Sequence, residues 1–357
     1  MDRRPRIGIS AGDPAGIGPE VTAKALSSAE IYRISRPLVV AEAETMREAV
    51  RFSGLTEEIH SVSSPRDGLY KVGTIDVLDM KNIDAGSIRH KVVSAECGRA
   101  SFEYVKKVID LAMSGEIDAT VTGPINKEAI NRAGFHYSGH TEIYADLTGT
   151  KDYAMMLLHD RFRVIHVSTH VSLREACDLV RRERVERVIR LGCETLKRLG
   201  IDGPRIAVAG LNPHAGESGL FGREEIEEIE PAVRLARQDG IDVAGPLPSD
   251  TVFSKMLGGQ YDLVVVMYHD QGHIPVKLVG FRYDDRTGAW SSVSGVNITC
   301  GLPIIRTSVD HGTAFGKAGE GRANPESMIQ AIRVAVRLAS SQIRSAADAP
   351  QERRAGT

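Results

Sequence analysis

Short apolar, β-branched runs alternate along this chain with longer stretches whose apolar positions recur every three or four residues. That alternation predicts strands separated by helices, and so an α/β architecture on a largely parallel sheet. Strands are predicted at 6–10, 38–41, 119–122, 162–168, 205–211 and 263–267. The last contains no polar residue and reads as buried on both faces. Helices are predicted at 19–26, 94–113, 173–199, 223–238 and 325–340. In 94–113 the stripe Ala95, Phe102, Val105, Ile109 and Ala112 defines one face. Pro19 suits a first helical turn, where a missing N–H costs nothing. The tail SAADAPQERRAGT is polar and small-residued, and is expected to fray.

Composition narrows the partners. A chain of 357 residues exceeds what one compact core usually fills, so two lobes around a cleft are expected. Lys and Arg (45) nearly balance Asp and Glu (47), which gives no electrostatic reason to bind nucleic acid or an anionic membrane. The apolar runs are too short to span a bilayer, and the start MDRRPRIGIS lacks the apolar core of a secretory signal. Cys97, Cys177, Cys193 and Cys300 form no CxxC pair, so neither a disulfide framework nor a thiolate zinc site is indicated. A cytoplasmic protein directed at a small molecule is the expectation.

Three histidines stand at equivalent places. His170 closes FRVIHVST, His214 closes RIAVAGLNP and His269 closes LVVVMY. Ligands of open α/β sheets gather at the carboxyl edge of the strands. Parallel neighbours there deliver all three imidazoles to one crevice, an arrangement suited to a catalytic divalent metal such as Zn²⁺, with Co²⁺ or Ni²⁺ also compatible. Taken singly, each is an ordinary strand-end histidine bonded to a loop. Asp270 and Gln271 stand ready to orient a ligand ring.

Two further stretches carry anion chemistry. Gly139-His140-Thr141 precedes a helical pattern, where free backbone N–H groups favour an anion; the plainer reading makes Thr141 an N-cap. Lys277, Asn297 and Arg306 flank or fall within GLPIIRTSVDHGTAFGKAGEGRANPES, and arginine can grip phosphate or carboxylate with two N–H groups. The glycines of GDPAGIGP spell neither a dinucleotide nor a phosphate-loop fingerprint, and the plainer expectation is that they let strand and helix pack closely.

Taken together, AGDPAGIGPE, TGPINK, GHTE, LNPHAGE, YHDQG and GVNITCGLPIIRTSVDHGTA resemble the 4-hydroxythreonine-4-phosphate dehydrogenases of vitamin B6 (pyridoxine) synthesis and their relatives acting on four-carbon phospho-sugar acids. The resemblance runs from about Pro5 to Leu338. It implies the two-lobed isocitrate and isopropylmalate dehydrogenase fold, with a cofactor-side lobe at 1–128 and 300–345, a metal, substrate and dimerisation lobe at 129–299, and a flexible tail at 346–357. It also implies NAD (or NADP) with one divalent metal, Zn, Co or Mg, and oxidation of a secondary alcohol followed by decarboxylation of the β-keto acid. By motif, His170, His214 and His269 match metal ligands, and His140, Thr141, Lys277, Asn297 and Arg306 match substrate contacts. His311, Gly312, Thr313, Ala314 and Asn324 match the loop facing the cofactor's adenosine. A homodimer sharing its active site is implied as well.

Asp250, Asp270 and Lys127 are the candidates for proton acceptor, left unranked. The segment GFRYDDRTGAWSSVSG, with the sole tryptophan Trp290, is longer than the family's usual connection. It reads either as a pocket lid or as a surface hairpin around Thr287-Gly288. A phosphorylated threonate or erythronate is therefore a rival substrate to the vitamin-pathway amino acid. A zinc hydrolase or lyase without redox chemistry is the alternative from another class, and the HGTA…ANP loop argues against it.

Overall fold

The computed structural model describes residues 4–286 and 289–348. Its strands are β1 (Arg6–Ser10), β2 (Arg36–Ala41), β3 (Glu58–Val62), β4 (Thr74–Asp79), β5 (Ala119–Thr122), β6 (Ala154–His159) and β7 (Phe162–His166). They continue with β8 (Ile206–Ala209), β9 (Val243–Leu247), β10 (Leu263–Val266), β11 (Phe281–Asp284), β12 (Ala289–Val293), β13 (Val296–Cys300) and β14 (Arg306–Val309). One sheet takes the order β3-β4-β2-β1-β5-β14-β13-β6-β7-β10-β8-β9, while β11 and β12 pair separately.

Neighbours from β3 to β14 are parallel, as are β7, β10, β8 and β9. β13 and β6 join the two halves through antiparallel pairings. The α/β class with a largely parallel sheet is the architecture found. β10 shows why its sequence is apolar throughout: Leu263 and Val265 enter one core, and Val264 and Val266 enter a second core on the opposite face.

Several elements differ from the pattern-based expectation. The helix expected at 173–199 is two, Leu173–Asp178 and Arg182–Arg198. Glu228, distant in sequence, accepts from the Arg182 N–H at 2.7 Å and so caps the second helix from outside. The helix expected at 223–238 opens with a π turn, Glu225–Ile229, before Glu230–Gln238. The last helix is longer than expected, Glu326–Asp348. Residues 349–357 of the tail lie outside the described residues.

The loop after β1 is a packing device. A Cβ on Gly18 would lie 2.0 Å from the Ala11 carbonyl oxygen, so only glycine lets the helix Gly18–Leu26 start against the strand. The same loop holds Asp13 fully buried, its Oδ1 accepting from the Ala15 N–H at 2.9 Å while Oδ2 has no partner. Burial raises this carboxyl to about 6, against which the Ala15 hydrogen bond acts only in part.

A raised carboxyl favours the native state at low pH. Its contribution is complete below about pH 4 and is lost as pH rises through about 6, amounting to about 3 kcal/mol. Asp13→Asn keeps an acceptor for Ala15 and removes the titration. Its urea midpoint should exceed the wild type's at pH 7 and match it near pH 4; equal midpoints at pH 7 would refute the account.

Candidate active site

The antiparallel junction supplies the floor of a pocket. Side chains alternate along a strand, so Arg306 and Ser308 share one face of β14, and Asn297 and Thr299 share one face of β13. The register sets Asn297 opposite Ser308 on the neighbouring strand. Arg306 is 3% exposed. Its guanidinium donates to Thr299 Oγ1 at 2.9 Å and Thr122 Oγ1 at 3.0 Å, and lies 5.6 Å from the Tyr144 ring centre. Its Nε is buried without a partner, and among the described residues no ion pair joins Arg306 to a carboxylate. Burial lowers its pKa to about 10, so it remains a cation at neutral pH.

Loops and helix starts make the walls of this pocket, whose volume is about 300 Å³. Lys127 opens the helix Lys127–Arg132, and Lys277 comes from the helix His269–Gly280. The helix His140–Leu147 begins after Gly139, with no side-chain cap, so Thr141 lies inside the first turn and is not the N-cap. Thr141 is 6% exposed and lines the pocket beside His140, whose Nε2 has no partner. Burial, followed by the cations Arg306 and Lys127, pushes the His140 imidazole well below its usual pKa. A neutral ring and three cationic side chains thus surround a cavity with few acids of its own.

Two acids on its wall escaped the sequence reading. Glu142 stands 3.5 Å from His170 Nδ1. Burial alone would raise its carboxyl, but hydrogen bonds, chiefly from His170, leave it below its usual range. The GHTE motif contained this residue, yet nothing local tied it to a histidine 28 positions on. Asp310 follows β14, and burial raises its carboxyl to about 6 while Lys277 acts to lower it. His273, also lining the pocket, stacks on His269 with ring centres 3.6 Å apart and lies 4.9 Å from His166. Gly272 makes room here, because a Cβ there would stand 2.6 Å from His166 Nε2.

The three expected metal ligands are only partly brought together. Their strands are adjacent, with β10 between β7 and β8. His170 and His269 have ring centres 5.8 Å apart and line a common recess with Asp270. Each offers its Nδ1 to a carboxylate, His170 to Glu142 and His269 to Asp270 at 2.6 Å, which leaves Nε2 to ligate. That donor chemistry fits a divalent cation. His214 lines neither cavity and packs instead on Phe221, centres 6.3 Å apart. Among the described residues no three His, Cys, Asp or Glu side chains form a metal-holding group.

Within one chain the three rings do not meet, for two reasons. β8 lies two strands from β7, about 10 Å away at ordinary strand spacing. The loop after β8 also takes a left-handed course, with positive φ from His214 to Ser218. Glu225, 3% exposed, holds this loop by accepting from the N–H groups of Leu211 and Asn212, both at 2.7 Å.

A second cavity of about 450 Å³ adjoins the first, and His311 lines both. Ile17, Ala314 and Ala323 make it largely apolar, with Asn324 and Lys317 at its wall. Gly312 lines the anion pocket, and the Thr313 carbonyl accepts from the Ile17 N–H at 3.0 Å, fixing the loop. These residues fit the two-part shape of a dinucleotide, a flat base beside an anion-binding chamber. The proton-acceptor candidates separate: Lys127 lines the anion pocket, Asp270 lines the histidine recess, and Asp250 is exposed in the first turn of the helix Ser249–Leu257.

Fold and pocket together define the class, an α/β enzyme whose central cavity is built for a small anion. The family model of the pyridoxal phosphate biosynthetic protein PdxA matches residues 33–335, and the chain belongs to this family. The D-threonate 4-phosphate dehydrogenase of Pectobacterium atrosepticum is 48% identical over 93% of this chain and 99% of its own. A solved 4-hydroxythreonine-4-phosphate dehydrogenase from Klebsiella pneumoniae is similar at a TM-score of 0.82 and 44% identity, covering 95% of this chain and 99% of that one. Its counterpart from Burkholderia phymatum gives 0.80 and 45%, with 94% and 99% covered.

Proposed function

We propose that this protein oxidises the secondary alcohol of a four-carbon hydroxy acid phosphorylated at its terminal oxygen, using NAD and a divalent metal. The observation that carries the reading is Arg306, a buried cation without an acid partner, facing a cavity with Lys127, Lys277, His140 and Thr141. A buried charge left unpaired is costly, and a phosphate or carboxylate of the substrate would compensate it. Similarity to the curated D-threonate 4-phosphate dehydrogenases favours phospho-D-threonate. The solved 4-hydroxythreonine-4-phosphate dehydrogenases favour the amino acid as second reading.

A nicotinamide cofactor held by the 311–314 loop and Asn324 would accept the hydride, and a divalent cation held by His170 and His269 would supply Lewis acidity at the substrate hydroxyl. The chain's own residues bind and orient. Arg306 and the two lysines fix the anionic ends of the substrate and so hold the carbinol carbon in one place. His140, kept neutral, can accept or donate a hydrogen bond without adding charge. Glu142 and Asp270 fix the rings of His170 and His269.

A second copy of the chain supplies the missing ligand. Leu220 (73% exposed) and Phe221 (49%) follow the His214 loop, while Ile274 (63%) and Leu278 (81%) form a ridge on the helix His269–Gly280. Apolar side chains so placed beside an incomplete metal site call for a covering subunit. A panel of phosphorylated four-carbon acids with NAD⁺, read as NADH absorbance, tests the proposal. Turnover should vanish on chelation and return with added metal; turnover of no acid in the panel, or full turnover after metal removal, would overturn it.

A further inference from the structure

The hairpin between Lys277 and Asn297 is pinned at its feet. The Ser294 N–H donates to the Gly280 carbonyl at 3.2 Å, the Ser294 hydroxyl lies 3.1 Å from His159 Nδ1, and Ser327 donates to the Gly295 carbonyl at 2.7 Å. A Cβ on Gly280 would stand 2.3 Å from the Ser294 carbonyl oxygen, so the two feet cross in contact. The first residue past this crossing is Phe281, which opens β11 and pairs with Val293 of β12. Its position is therefore set by the core and not by the hairpin tip.

Phe281 lines the apolar cavity together with Ile17, Ala314, Ala323, Lys317 and Asn324. Lys277 Nζ, of the anion pocket, lies 5.8 Å from its ring centre. Phe281 thus lines the apolar cavity and approaches a lysine of the anion chamber, and it comes from the extended connection, not from the loop that the sequence assigned to the cofactor. We propose that Phe281 is a cofactor-positioning residue that stacks against the adenine of the dinucleotide, so that the hairpin helps to select the nucleotide. This rests on the dehydrogenase reading above. Adenine is the half assigned because the nicotinamide has to reach the substrate chamber, which leaves the apolar cavity to the other base.

The chemistry is that of base–aromatic stacking, in which a flat ring gains from a π face as well as from apolar area. Calorimetric titration of the purified full-length protein with ADP-ribose, and separately with nicotinamide mononucleotide, isolates the two halves without turnover. Phe281→Ala should weaken ADP-ribose binding about tenfold, Phe281→Leu should fall between, and Phe281→Tyr should match the wild type. Nicotinamide mononucleotide affinity should be unchanged throughout.

Equal ADP-ribose affinity in the wild type and Phe281→Ala would overturn the assignment, as would a loss confined to nicotinamide mononucleotide. Both outcomes leave the dehydrogenase reading standing. A wild type that binds neither half and reduces no NAD⁺ with any acid of the panel would instead remove that reading, and this one with it.

Discussion

Arg306→Met is expected to lower kcat/KM for the phosphorylated acid by about 10²- to 10³-fold and, in the same protein, to raise the melting temperature of the ligand-free enzyme. The two effects share one cause. A buried guanidinium facing an anion makes two charge-assisted hydrogen bonds, each worth about 1.5–3 kcal/mol, and tenfold in rate corresponds to about 1.4 kcal/mol. Without substrate the same cation sits desolvated, with hydroxyl oxygens for company and no carboxylate. Replacing such a charge by an apolar side chain of similar length often stabilises a fold by about 1–4 kcal/mol. Steady-state kinetics and a thermal melt decide it. Lost activity with a lowered melting temperature would mean that Arg306 serves the sheet; retained activity would mean that the anion binds elsewhere.

Mixing two inactive variants is expected to restore activity. His214→Ala and His170→Ala should each lose bound metal and nearly all turnover, while both keep the native circular dichroism spectrum, since His214 is an exposed loop residue and His170 lies beyond β7. If each site takes His214 from one subunit and His170 from the other, a mixed dimer contains one intact site and one doubly altered site. Refolding the two variants together should then return a substantial part of the wild-type rate, measured as NADH formation with metal present. If all ligands come from one chain, no mixed dimer has an intact site and the rate stays at the level of the parents. This outcome would contradict the shared-site proposal.

How much of this was legible in the sequence depends on whether the cause was local. The α/β class was, because β1, β5 and β10 carry their burial in their own residue types. Arg306, Lys277, His140 and Thr141 were legible as motif positions, and the structure puts all four around one cavity. β13 and β14 were not: a four- or five-residue strand mixing Asn, Thr, Ser and Arg with apolar residues has no clear period until its neighbour shows which face is polar. The split at residues 179–181 was hidden because its cap, Glu228, lies 46 positions away. The distance of His214 from the other two rings within one chain was hidden for the same kind of reason. Its strand was found, but the left-handed turn that follows depends on Glu225 reaching back to two backbone amides.

The division of labour between sheet and loops has an evolutionary consequence. Because Arg306 and Asn297 are woven into hydrogen-bonded strands, they resist drift; a change there disturbs the backbone ladder on both sides. The surrounding rim is built from chain segments that meet few such constraints. New substrates would therefore be most readily acquired by exchanging the rim around an unchanged strand-borne arginine, and variation among related enzymes should concentrate there.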